Sequence, residues 1–378
     1  MTIAELLEHR IIVCCGSGGV GKTSVSAALA LRAAGRSTKV VVATIDPARR
    51  LATAMGIETL RNEPRRVKLE GANLWAMMLD SKSTFDALIS RYATPETRDE
   101  ILANRFYQAI SSRIAGTENY MAMEKLYELD GRKEFGTIVL DTPPTRHALD
   151  FLDSPARMQN MLQGSILKWL VKPYFEAGRI SLGFLRRGTD RLVSFLDHVF
   201  GLQFLHDLSD FFRAFNSMYD GFRERSGKVQ QLLLSHDVAF VAVAAPTEIS
   251  LAEAAAFQST LEGRGMNFAG FILNRVHGLE AFTQPQRKRL DDWRRSHPDH
   301  PAAGVLSNYA DYQDLAEAEG RLIDRWIDRG RVLTVLPVLE EDIHDMHGLR
   351  RLAECMDAAS GGRKRGRRGG TERKKEYS

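Results

Sequence analysis

The run Gly16-Ser17-Gly18-Gly19-Val20-Gly21-Lys22-Thr23 constrains this chain more than any other feature. It has the pattern GxxxxGK[ST]. It stands between the apolar run RIIVCC (10–15) and SVSAALALRAA, a segment of helical composition that stops at Gly35. That context predicts a strand, a tight loop and a helix in succession, the arrangement in which such a loop holds phosphate. The glycines let backbone N–H groups turn inward onto phosphate oxygens, and the helix N-terminus adds a partial positive charge. Lys22 is placed to reach the β- and γ-phosphates of ATP, and Thr23 to ligand Mg²⁺; Ser24 completes the phosphate-contacting run 16–24. A glycine-rich turn without a ligand is the bland alternative, disfavoured by the flanking strand and helix. The metal needs a second carboxylate. Asp141, at the end of the apolar run TIVL, fits that place and would act through a bound water; alternatively it caps a following helix.

Further short apolar runs predict strands at 38–45, 72–79, 136–141, 237–245, 266–274 and 331–337, with helical patterns between most of them. Continuous apolar strands alternating with helices imply an α/β fold with a mostly parallel sheet covered by helices on both faces. Residues 151–235 break the rhythm. They read as helical throughout, an insertion that divides the P-loop domain into 1–150 and 236–357. Residues 358–378 read as a disordered basic tail.

Charge and cysteine content narrow the class. Residues 361–378 carry eight of the 52 Lys and Arg but two of the 48 Asp and Glu, so the net charge of +4 belongs to the tail and the rest of the chain has net −2. The body is not an evident polyanion binder. Three cysteines, Cys14, Cys15 and Cys355, give no disulfide framework and no metal-ligand spacing. The N-terminus is not a secretion signal, and no run is long enough to span a bilayer, so the expected location is cytoplasmic, with peripheral membrane contact left open.

Two segments near the loop point to a family. Thr44-Ile45-Asp46-Pro47-Ala48-Arg49 resembles the switch I segment of the ArsA-type ATPases, and Asp141-Thr142-Pro143-Pro144-Thr145-Arg146-His147 resembles their switch II. The likeness continues at Pro246-Thr247-Glu248, at Leu273-Asn274-Arg275 and from Leu336 to Ile343, covering about residues 10–357. The family includes arsenite-pump ATPases and ATPases that target tail-anchored membrane proteins. The resemblance implies that Asp46 orients or activates the attacking water, that Asn274 contacts adenine, that Pro337 lies in a loop closing over the base, and that His147 senses nucleotide state. Asp46 also reads as a helix cap, and Asn274 as a turn residue at a strand end.

The departures from the family are as informative. Position 17 usually carries a lysine that reaches the phosphates of a dimer partner; here it is Ser17. Arg49 and Arg146 replace a histidine and a glycine and are candidate substitutes for that charge, or simply solvated. The metalloid-binding cysteines and the zinc CxxC of some relatives have no counterpart, so neither arsenite nor zinc is expected.

The resemblance implies paired ATPase sites, hence a homodimer or a heterodimer with a paralogue carrying the lysine. In the insertion, Phe195, Val199, Leu202, Leu205, Leu208, Phe211, Phe215, Met218 and Phe222 recur at helical spacing. They suit a groove for a hydrophobic client helix, as in the targeting relatives, or ordinary core packing. The expected function is a nucleotide-switched ATPase that handles a protein or membrane partner. Two other readings stay open: a positioning or partition ATPase acting on membrane or DNA, supported by the basic tail, and a weakly hydrolysing regulatory subunit, supported by Ser17. The tail either solubilises the chain or tethers it to anionic lipid or nucleic acid. Deleting residues 361–378 is expected to leave nucleotide turnover unchanged in a steady-state assay; a large loss would show that the tail reaches the site.

Overall fold

The computed structural model describes residues 1–36, 38–45, 50–111, 117–143, 219–278, 283–328 and 330–362, together with residues 207, 210, 211 and 214. Eight strands form one sheet in the order β3-β4-β2-β5-β1-β6-β7-β8. They are β1 (Ile11–Gly16), β2 (Val40–Thr44), β3 (Arg65–Arg66), β4 (Leu74–Met78), β5 (Thr137–Asp141), β6 (Val238–Ala244), β7 (Phe268–Val276) and β8 (Val332–Pro337). All neighbouring pairs are parallel except β3–β4. The seven long strands are those expected from the apolar runs. The two-residue β3, exposed and made of two arginines, is too short to show a periodicity.

The apolar runs are continuous because both faces of the sheet are covered. Alternate side chains of one strand enter different cores: Ile12 and Cys14 of β1 join one cluster, Ile11, Val13 and Cys15 the other. The first cluster lies under α1 (Ile3–Leu6), α2 (Lys22–Ala34), α3 (Arg50–Ala54) and the C-terminal helix α12 (Met346–Gly362). Helix α2 is mostly alanine and serine along its buried length, so it sits close between the sheet and α12, whose Leu349, Leu352 and Met356 are buried. The second cluster lies under α7 (Thr117–Arg132), α8 (Tyr219–Leu234), α9 (Glu248–Gly263) and α11 (Pro301–Asp328). Helix α10 (Gln284–Ser296) runs beside α11, tied by Arg287 to Asp314 and Glu317.

A third, smaller cluster joins α4 (Ser81–Tyr92), α5 (Pro95–Ala103), α6 (Arg105–Ile110) and α7 to the insertion. Phe211 is buried there and stacks on Tyr107 with centroids 5.9 Å apart. At this one described position, the apolar stripe of the insertion serves as core. Most of the other stripe residues lie outside the described residues. The last part of 151–235 is α8, whose Val229 and Leu233 pack under the sheet.

Helices α7 and α8 are joined by a buried ion pair. Glu124 and Arg225 approach to 2.5 Å with side-chain exposures of 3% and 12%, and Arg225 also lies 4.1 Å from the centroid of the Tyr127 ring. Burial pushes the Glu124 carboxyl up from its ordinary value, and the guanidinium opposes that shift. A buried charge stripped of its partner is costly. Arg225→Ala is therefore expected to destabilise the fold by about 3–5 kcal/mol in urea unfolding. A loss below about 1 kcal/mol, the size of an exposed pair, would mean that the pair is solvated in solution.

Candidate functional site

β1 is the central strand at the point where the chain changes direction. The connection through α2 leads to β2 on one side, whereas β6, β7 and β8 build outward on the other. In open parallel sheets, the crevice at the C-terminal edge of such a point is where ligands bind. The loop 16–21 occupies that edge, directly after β1. Gly16 packs so closely on β6 that an added Cβ would lie 2.2 Å from the Val243 carbonyl oxygen. Gly21 is left-handed, with φ of 87°, and opens α2.

Helix α2 starts without a side-chain cap and without an acidic residue in its first turn. By contrast, Asp80, Thr94 and Thr247 cap α4, α5 and α9 through their side chains. A helix leaves its first N–H groups unsatisfied, and here they face the glycine loop. With the helix dipole, this makes a seat for an anion. The loop is tied from its outer side. Lys22 Nζ donates to Ser17 O at 2.7 Å, Arg275 Nη1 to Gly19 O at 2.8 Å and Asn274 Nδ2 to Val20 O at 2.8 Å. Ser17 Oγ donates to the carboxylate of Glu253 on α9.

The registers of β1, β2 and β5 set Cys14, Thr44 and Asp141 side by side. Asp141 is 1% exposed, and its Oδ2 accepts from Thr23 Oγ1 at 2.8 Å and from Thr44 Oγ1 at 2.9 Å. A carboxylate and two hydroxyls gathered at a phosphate loop are hard oxygen donors of the kind Mg²⁺ prefers, so the donor set fits that ion. Cys14 and Cys15 supply no reactive thiol. Burial pushes Cys15 up to about 12 and raises Cys14 as well.

Asn274, two residues before the end of β7, and Pro337, the last residue of β8, lie on neighbouring strands on the far side of the loop from Asp141. One Nδ2 hydrogen of Asn274 is spent on Val20. Contact with adenine N6 and N7 would use the other hydrogen and Oδ1. Asp46, Arg49, Arg146 and His147 lie outside the described residues. Thr44, Glu253 and Arg275 belong to the site by contact; the sequence reading places Thr44 and Arg275 within family-like segments without giving either a role, and does not name Glu253. Thr44 carried a faint signal as a hydroxyl ending a β-branched strand, and Glu253 as the acid within LAEAAAF.

A strand, a glycine loop and an uncapped helix at the centre of a parallel sheet, with a neighbouring strand-end aspartate on the helix's first hydroxyl, define a P-loop nucleotide-binding α/β protein. The chain belongs to the anion-transporting ATPase family, the ArsA-type ATPases, whose model matches residues 9–300. It is 35% identical over 165 residues to ATPase GET3 of Malassezia globosa, covering 43% of this chain and 48% of that one. It is 30% identical over 147 residues to ATPase GET3 of Rhodotorula glutinis, covering 39% and 41%. A longer alignment, 23% identical over 361 residues, covers 94% of this chain and 95% of ATPase ASNA1 homolog 1 of Paramecium tetraurelia. The stronger matches thus span about half, or less, of those relatives' length. Among the described residues, no helix is long and apolar enough to cross a membrane.

The Thr44 hydroxyl donates, beside that of Thr23, to a buried carboxylate oxygen. Thr44→Val keeps the shape and removes the donor, and is expected to cost about 1–3 kcal/mol in chemical denaturation. It should also weaken the Mg²⁺ dependence of nucleotide binding. An unchanged unfolding midpoint would show that Thr44 does not hold Asp141.

Proposed function

We propose that the chain is a Mg²⁺-dependent ATPase whose nucleotide state controls a dimer that handles a protein or membrane partner. The observation that supports this most directly is the joining of the phosphate loop to Asp141 through Thr23, beside Thr44. In this reading, the backbone of 16–24 and Lys22 bind the phosphates. Lys22 has three donors on its ammonium, so it can reach the phosphates while keeping the Ser17 carbonyl that it now holds. Thr23 and Asp141 hold Mg²⁺, the aspartate through water. The ion, when bound, neutralises developing charge on the phosphates. Asp46 accepts the proton of the attacking water, as the family resemblance implies. Asn274 and Pro337 contact the base.

The contact between Ser17 and Glu253 favours slow turnover by the isolated chain. A hydroxyl already committed to a carboxylate adds no positive charge where charge shifts in the transition state. A paralogue with a lysine at this position, or one of Arg49 and Arg146, would raise the rate. The partner reading draws on the GET3 and ASNA1 relatives together with the apolar spacing of the insertion. A partition-type role on DNA has only the basic tail in its favour.

Lys22→Ala is expected to abolish ATP binding in a fluorescent-nucleotide titration, because its ammonium contacts phosphate in the ground state. Asp46→Asn should leave binding near wild type and lower turnover by about 10²-fold or more, since a proton acceptor is used only in the chemical step. Wild-type turnover in Asp46→Asn would remove it from the mechanism, and ATP binding by Lys22→Ala would remove the loop.

A further inference from the structure

Among the described residues, three that are not glycine have positive φ: Lys133 at 52°, Arg275 at 63° and Arg331 at 69°. A side chain in this region is strained, so the conformation persists only where its surroundings demand it. Lys133 and Arg331 have evident local reasons. Lys133 follows the end of α7 and pairs with Asp130, and Arg331 follows Gly330 and pairs with Glu262. Arg275 makes no ion pair among the described residues. Its guanidinium instead reaches the Gly19 carbonyl, 256 residues away in sequence, at 2.8 Å.

The geometry of that contact has a consequence for the loop. In a trans peptide, the carbonyl and the N–H point in opposite directions. The Gly19 carbonyl and the Val20 N–H belong to one peptide. A donor that draws the Gly19 oxygen outward therefore turns the Val20 N–H inward, toward the phosphate seat. Asn274 does the same one peptide later, drawing the Val20 oxygen outward and turning the Gly21 N–H inward. The fit is close, since an added Cβ at Gly21 would lie 2.4 Å from Asn274 Nδ2. The guanidinium is also charged. A charged donor on a peptide carbonyl makes a stronger bond and polarises the N–H of the same peptide toward an anion.

We propose that Arg275 is a positioning residue for the phosphate loop: it accepts a left-handed backbone at the end of β7 in order to hold the Gly19–Val20 peptide with its N–H aimed at the nucleotide phosphates. With Asn274 beside it, the end of β7 forms an outer clamp that preorganises two successive donors. The inference rests on the nucleotide-binding reading and adds to it a residue outside the motif that acts through the backbone of the motif.

The decisive variant is Arg275→Gly in the full chain. Glycine adopts a φ near 63° without strain, so the unfolding temperature of the nucleotide-free protein is expected to stay level or rise. At the same time, affinity for ATP and ADP should fall about tenfold, the worth of one hydrogen bond to a charged group. Affinity for adenosine, which brings no phosphate to the loop, should not change. Arg275→Lys keeps a cation on a flexible stem and should recover part of the lost ATP affinity. A stable glycine variant that binds ATP and ADP as tightly as wild type would overturn the clamp while leaving the nucleotide site intact. Equal losses for adenosine and ATP would also overturn it, by showing general damage. Failure of the wild-type chain itself to bind ATP would end both the clamp and the function it rests on.

Discussion

A loop that aims consecutive N–H groups at one anion must place the carbonyls of the same peptides on its other side. Those oxygens are held by donors from the surrounding protein, which fixes the orientation of each peptide. Here the donors come from two places. Lys22 serves Ser17 from within the loop's own helix, and Arg275 and Asn274 serve Gly19 and Val20 from the end of β7. The phosphate seat therefore depends on the order of the sheet. Only because β6 lies between β1 and β7 does the end of β7 come level with the outer rim of the loop. The bulge between Phe240 and Val241, where the register with β7 shifts, is part of how that level is set.

Elements whose signal is local could be read directly from the sequence. The strand, loop and helix from Ile11 to Ala34 follow from composition and spacing over some two dozen residues, and the seven long strands from apolar runs that need no partner to be recognised. Asp141 was legible because it ends such a run. Contacts between distant segments were not. Nothing near Ser17 points to Glu253, more than two hundred positions away, and Thr44 meets Asp141 only because β2 and β5 pair in one register of several that their apolar sequences allow. A left-handed arginine gives no sign at all, since its type suits many conformations and its strain is imposed by tertiary structure.

The helical layer over α7 follows different rules from the sheet. The sheet is held by apolar side chains on both faces, which specify depth but little direction. The junction of α7 and α8 buries Glu124 against Arg225, whose guanidinium lies over the Tyr127 ring, with Tyr120 donating to Glu124 at 3.4 Å. Replacing such a pair by apolar residues often costs nothing, so its presence is weak evidence of added stability. What a buried ion pair does supply is a geometric condition: both helices must bring their charged groups to the same place. At this position it fixes how α8 docks on α7.

Glu253 brings a negative charge to the mouth of a site built to hold negative phosphates. Among the described residues it makes no ion pair, and it accepts from the Ser17 hydroxyl. Lysine in place of serine would answer that carboxylate with a full charge, and would be held by it on its own side until a partner's phosphates competed for it. A hydroxyl satisfies the carboxylate as a hydrogen bond but leaves its charge in place. The field at the mouth is then set by Glu253 against Lys22, Arg275 and the end of α2, with Asp141 buried behind Thr23. At physiological salt the screening length is about 8 Å, so charges gathered around one loop act on each other with little attenuation. Serine at this position pairs with Glu253 through a hydrogen bond and adds no positive charge of its own to the loop.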